Sequence, residues 1–196
     1  AQAVLRGVSV AAVRTIAVDV HGQGTAVRGG GVRVDGVLSG EQGLGYGVRV
    51  ADGASGTFHG TRIDGARVIG LAATGAGSKL IARDLVVAGT LPRVVDSTDG
   101  IGVHVSFGAA LDLYGGRLSA NHFTGLAVEH TGTVADVAQL TIDDTQTIPV
   151  FQTNGIGLAV SNGGLLRGTD IRLSGNRAYG MIIGMGHARA EVTRLL

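Results

Sequence analysis

The chain repeats itself at a fixed interval of 55 residues. The stretch "RLSANHFTG" at 117–125 returns as "RLSGNRAYG" at 172–180, and a looser copy, "RIDGARVIG", stands at 62–70. Such an interval is too long for one helix or hairpin and marks units that stack or repeat radially. A finer period lies inside it. A segment led by Gly, once by Thr, and continuing with alternating apolar residues begins at seven places: "TIAV" 15, "GVRV" 47, "GLAA" 70, "GVHV" 102, "GLAV" 125, "GLAV" 157 and "GMII" 180. The successive intervals read 32, 23, 32, 23, 32 and 23, so two kinds of unit alternate and together give the longer recurrence.

Within a unit the apolar spacing is two, as in Val48 and Val50, Val103 and Val105, Leu126 and Val128, Leu85 and Val87, or Leu140 and Ile142. Period two means strands, and each is short. Glycine supplies 35 of 196 residues without a collagen-like period and with only two prolines, so the excess serves turns. A 23-residue unit holds about three strands and their corners, which suits one winding of a solenoid better than a propeller blade. The alternative, a propeller with one blade per 55 residues, leaves about three and a half blades and does not explain why the Gly-led strand occurs twice per unit. The expected fold is therefore all-β, a right-handed parallel β-helix solenoid with alternating 23- and 32-residue coils, forming one domain over residues 1–196. Files of residues such as Ile63, Leu118 and Leu173 should share its interior.

The pattern L-S-x-N-x-x-x-G-[LM]-x-[VI], present as Leu118 to Val128 and Leu173 to Ile183, resembles the repeat of parallel β-helix proteins of the pectate-lyase-like superfamily. That resemblance implies that Asn121 and Asn176 hydrogen-bond turn backbone and stack on neighbours. It also implies an extracellular or cell-surface location and contact with polysaccharide, and the superfamily includes lyases, hydrolases and epimerases.

Sixteen basic against fifteen acidic residues give a net charge of +1, which provides no global attraction to nucleic acid or to an anionic membrane. No apolar run reaches the 18 residues of a spanning helix, so no membrane insertion is expected, and the chain has no cysteine for disulfides. Both ends stop within a repeat, which implies either a segment of a longer protein or end-to-end self-association through open strand edges.

The longer units carry their extra residues at one place, around 35–43, 91–100 and 147–155, where both prolines stand. Loops on a rigid scaffold are the usual seat of function. The candidate ligand-binding residues are accordingly Glu41, Asp96, Asp99, Gln152 and Asn154, with Phe151 as a stacking surface for a sugar. Arg62, Arg117 and Arg172 share one position in successive 55-residue units, and Arg67, His122 and Arg177 share another. At about 10 Å per step these rows would form a positive stripe for an acidic polysaccharide. Asp96 and Asp99 are too few for a Ca²⁺ cage, which needs six to eight oxygens, so neither metal nor cofactor is expected.

No catalytic residue can be assigned. The outward positions of the Gly-led strands are mostly alanine, and Asp19 and Glu129, placed in one outward file, would stand about 19 Å apart. Glycosidase carboxylates need roughly 5–10 Å. The functional expectation is a rigid extracellular β-helix domain that contacts carbohydrate or serves as a surface stalk or adhesion module. The alternative is a polysaccharide lyase or glycoside hydrolase domain with its site in the groove beside the loops.

Overall fold

The computed structural model describes residues 1–40, 43–148 and 154–196. These contain eighteen strands and no helix, hence no helix able to cross a membrane. A seven-stranded sheet holds, in spatial order, β3 (Thr15–His21), β6 (Gly45–Ala51), β9 (Ile69–Thr74), β11 (Ile101–Ser106), β13 (Thr124–Glu129), β15 (Ile156–Ser161) and β17 (Tyr179–Gly184). An eleven-stranded sheet is built on β1 (Gln2–Arg6), β4 (Ala26–Gly30), β7 (Ser55–His59), β10 (Lys79–Ala88), β12 (Ala110–Ser119), β14 (Val134–Asp143), β16 (Leu165–Ser174) and β18 (Arg189–Leu195). The short strands β2 (Ser9–Ala11), β5 (Arg33–Asp35) and β8 (Arg62–Asp64) continue it beside β10.

The pairings within both sheets are parallel, and the chain visits the two sheets alternately. That is a parallel β-helix. Parallel pairing also excludes the propeller, whose blades are antiparallel. The interior is a set of files in register. Val34, Ile63, Val87, Leu118, Ile142 and Leu173 follow one another from coil to coil, and all but the partly buried Leu173 are sealed from solvent.

The strands of the eleven-stranded sheet bend at a single residue. In β10, β12, β14 and β16 that residue is Asp84, Gly115, Gln139 or Asp170, each with φ between 53° and 69°, and the pairing skips it. Gly31 and Gly60 hold the same place in earlier coils, also at positive φ. Glycine takes that conformation without steric cost, and Asp tolerates it better than most side chains. The glycines that lead the seven-stranded sheet are fixed by space instead. A methyl group at Gly125 would stand 2.3 Å from Cγ2 of Ile142, and one at Gly102 would stand 2.7 Å from Nδ2 of Asn121.

One interval departs from the sequence reading. Val18 pairs with Val48, Asp19 with Arg49 and Val20 with Val50, so the first spacing is 30 residues rather than 32. The segment equivalent to "GVRV" is "AVDV" from 17, in which Ala17 occupies the place of the leading glycine. From Tyr46 onward paired residues of this sheet stand 23 or 32 apart.

Asn121 is fully buried and braces adjacent coils. Its Oδ1 accepts from the Thr90 amide at 3.0 Å, and its Nδ2 donates to the Val87 carbonyl at 3.3 Å. Asn176 repeats the arrangement on Thr145 and Ile142 at 3.2 and 3.3 Å, with more solvent around it. The partners lie 31 and 34 residues earlier, so these side chains lock one coil to the one before rather than closing their own turn. Asn121→Ala removes both bonds and strands a buried amide, and it should cost about 2–4 kcal/mol of unfolding free energy. Asn176→Ala should cost roughly half as much. Urea denaturation of the two variants checks this, and equal losses would contradict the account.

Candidate functional site

The three long connections, 36–44, 89–100 and 144–155, all run from the eleven-stranded sheet into the seven-stranded one. The intervening coils make the same passage in four residues, 65–68, 120–123 and 175–178. The loops therefore leave one corner of the solenoid at alternate levels. Of the residues expected to bind there, Glu41, Phe151 and Gln152 lie outside the described residues, as do Pro149 and Val150. Asn154, at φ 69°, stands in the third connection two residues before β15.

The 89–100 connection is held by its own charges. Arg93 Nη2 donates to Asp99 Oδ2 at 2.6 Å, and Asp96 Oδ1 accepts from the amide and hydroxyl of Thr98 at 3.0 and 2.7 Å. Those Thr98 bonds hold the Asp96 carboxyl below its ordinary pKa. Nη1 of Arg67 ties the loop to the preceding coil through the Pro92 carbonyl at 3.0 Å. Val94 and Val95 of this loop are exposed.

Beneath this loop lies a cleft of about 350 Å³, open along the outer face of the seven-stranded sheet. Its base is a small apolar cluster outside the solenoid interior, formed by Val68, Ile69, Ala72, Ile101 and Ala127 with Tyr46 and Phe123 packed against it. Burial in this cluster raises the Tyr46 pKa, so its hydroxyl stays protonated. Val68, Phe107 and Phe123 border the cleft at φ of 92°, 54° and 62°. A β-branched residue at positive φ is a true outlier, and strain of this kind persists only where surrounding packing enforces it.

The polar wall is built from neighbouring coils. His104 on β11 donates through Nε2 to Glu129 on β13 at 3.1 Å, and Ser161 on β15 donates to the other Glu129 oxygen at 3.1 Å. Ser106 and Thr74 hydroxyls meet at 3.2 Å on the same face. The hydrogen bond from His104 is the main cause that holds the Glu129 carboxyl below its ordinary pKa; burial opposes it, and Ser161 and His130 assist. Phe107 is 58% exposed and stacks on His130 with ring centres 3.9 Å apart and planes at 17°. An anionic acceptor with fixed lone pairs thus stands beside a presented aromatic ring.

Among the described residues, Asp99 is the one loop candidate singled out from sequence that lines this cleft. Asp96 belongs to the same loop but not to the lining. Arg62, Arg117 and Arg172 lie on β8, β12 and β16 of the other sheet, away from the loops' cleft. Arg62 pairs with Asp64 at 2.8 Å and Arg117 with Asp143 at 3.1 Å, which removes two of the three charges from the expected stripe. Arg172 has no acidic partner among the described residues. In the second row, Arg177 reaches Gln146 at 3.4 Å and His122 the Thr90 carbonyl at 3.2 Å.

The 30-residue register also moves Asp19 out of the file of Glu129 and beside Arg49, to which it is joined at 2.9 and 3.1 Å. His21 takes the vacated place. The pair His104 and Glu129 occupies neighbouring files in adjacent coils, a diagonal contact that a file-by-file comparison of the sequence passes over.

No protein-family model matches the chain, and no curated protein or solved structure resembles it closely enough to count as a match.

Because the Glu129 pKa is depressed in the fold, its ionisation stabilises the native state above the unfolded carboxylate range, and that contribution disappears as pH falls through the folded value. Glu129→Gln removes the linkage. Wild type should therefore melt higher than Glu129→Gln at pH 7, with the gap closing below about pH 4. Thermal melts of both proteins across this range test the assignment, and a gap independent of pH would contradict it.

Proposed function

We propose that the chain is a rigid, surface-exposed β-helix domain of the pectate-lyase-like kind that binds carbohydrate in the cleft beneath the 89–100 loop without turning it over. The observation that carries this reading is Glu129, anchored by His104 and Ser161 at 3.1 Å each and set beside the exposed, stacked ring of Phe107. Sugars present an apolar ring face and a rim of hydroxyls, and an aromatic plate next to a fixed carboxylate matches both. An extracellular or cell-surface setting belongs to this proposal through the superfamily resemblance.

Binding is favoured over hydrolysis by the state of the carboxylates. A general acid needs a raised pKa, and Glu129 is pushed the other way. The other carboxylate at the cleft, Asp99, is bound by Arg93 at 2.6 Å. The ligand is taken to be uncharged, since Arg93 and Arg49 are neutralised by Asp99 and Asp19 while Glu129 retains its charge. An acidic polymer would meet that charge directly.

Calorimetric titration with neutral hexose and pentose oligosaccharides should give saturable binding, and prolonged incubation should release no new reducing ends or unsaturated products. Phe107→Ala and Glu129→Gln should each weaken binding by about tenfold or more, the loss of one charge-assisted hydrogen bond or one stacking surface. Product formation would replace the binding reading with the hydrolase or lyase alternative. Absence of binding to neutral and acidic oligosaccharides alike would leave a purely architectural stalk.

A further inference from the structure

The outer face of the eleven-stranded sheet carries a second depression, of about 490 Å³, that spans five successive coils at β10, β12, β14, β16 and β18. Two outward files line it. In one, Asp112, Asp136, Arg167 and Glu191 follow one another in register. In the other, Arg83 and Tyr114 are followed by the short side chains Ala138, Thr169 and Thr193. The depression is therefore a trough with a floor of small residues. The Tyr114 ring stands near one end of it, and from that ring to Thr193 the floor runs about three strand spacings, roughly 14 Å, along the solenoid axis.

Tyr114 is 48% exposed, and the Arg83 guanidinium stands 5.7 Å from its ring centre. An aromatic plate held by a cation at the end of an open trough is a stacking surface. Along the flank, Arg167 lies 3.5 Å from Asp136 and 3.9 Å from Glu191. Those separations hold Arg167 in place by charge between the two carboxylates while leaving hydrogen-bonding positions of Arg167 and Asp136 for a ligand. Lys79 pairs with Asp112 at 3.2 Å and Arg189 with Glu191 at 2.7 Å, so the charges around the trough nearly cancel.

We infer that this trough is a second carbohydrate-binding site, which takes an uncharged glycan segment laid along the solenoid axis with one ring on Tyr114 and its hydroxyls on Asp136 and Arg167. Balanced charge gives no purchase to a polyanion or polycation, and an open trough with one aromatic wall suits a chain rather than a compact ligand. The two sites lie on the outer faces of different sheets with the hydrophobic core between them. The domain is thus bivalent and joins two glycan chains, or grips one polymer at two points with the gain that linked binding provides. The ligand class rests on the carbohydrate reading of the cleft; the location of the second site does not.

The test is calorimetric stoichiometry on the whole 196-residue chain with cellohexaose, mannohexaose, xylohexaose and laminarihexaose as probes. Two molecules bound per chain are expected for at least one probe. Tyr114→Ala should remove one of them and Phe107→Ala the other. Thr169→Lys, which fills the trough and leaves both aromatic rings untouched, should act like Tyr114→Ala, so that a folding defect in one variant does not decide the result. One molecule per chain, lost in Phe107→Ala and retained in Tyr114→Ala and Thr169→Lys, would overturn the second site and leave the cleft reading intact. The reverse pattern would keep the trough and sink the cleft. No binding of any probe would overturn both.

Discussion

The structure depends on the parallel backbone ladder that ties each residue to its counterpart one coil away. Strands about 4.8 Å apart in constant register turn a one-dimensional repeat into vertical files, and every other property follows from those files. A file facing inward must be apolar at each level, as Val34, Ile63, Val87, Leu118, Ile142 and Leu173 are. A file at a bend must accept positive φ at each level, which Gly31, Gly60, Asp84, Gly115, Gln139 and Asp170 do. A file facing outward is unconstrained by packing and is free to carry chemistry.

The same ladder explains the polar groups in the interior. Where the chain passes from the eleven-stranded sheet to the seven-stranded one, backbone amides leave the ladder and need other acceptors. Asn121 and Asn176 fill that need for Thr90 and Thr145. The Oγ1 atoms of Thr90 and Thr145 remain buried without a partner, so the joint is satisfied at its backbone and not at its side chains. An amide side chain reaching one coil back is a coupling between coils, and it acts where the long loops depart. The rigidity of the loop bases, and hence of the cleft, is anchored there.

Much of this was legible in the sequence because a solenoid writes its geometry as spacing. The period-two strands, the interior file through Leu118 and the placement of the long connections at one corner follow from counting alone. The first coil escapes the count because Ala17 stands where later coils have a leading glycine, and the apolar pattern then matches "TIAV" two residues early. The arginine row is aligned as the spacing implies, but two of its three charges are cancelled, that of Arg62 by Asp64 two residues on and that of Arg117 by Asp143 on the next coil. The recurring "R-x-D" of 33–35 and 62–64 is the signal that reveals this, since residues two apart on a strand share a face. The cleft was harder to see. Its wall pairs His104 with Glu129 across two files, and its base depends on Val68 and Phe123 adopting a conformation that their side chains disfavour.

That last feature connects fold to function. Residues such as Val68 are held at positive φ because the backbone has to enter the seven-stranded sheet from a short turn, and the ladder on both sides leaves no alternative. Val68 and Ile69 at this turn, with Ile101 one coil on, lie outside the solenoid interior and form a buried apolar cluster on the outer side of the sheet. Tyr46 and Phe123 pack against it, and the Arg93 and Asp99 pair lines the cleft above it. A buried apolar floor, a fixed anion and an exposed aromatic plate meet where the strained corner enters the sheet. A corner held in a strained conformation by the ladder is a rigid one, and rigidity suits the proposed role, since a domain that holds a glycan in place needs little ordering on binding, unlike one that closes around it to react.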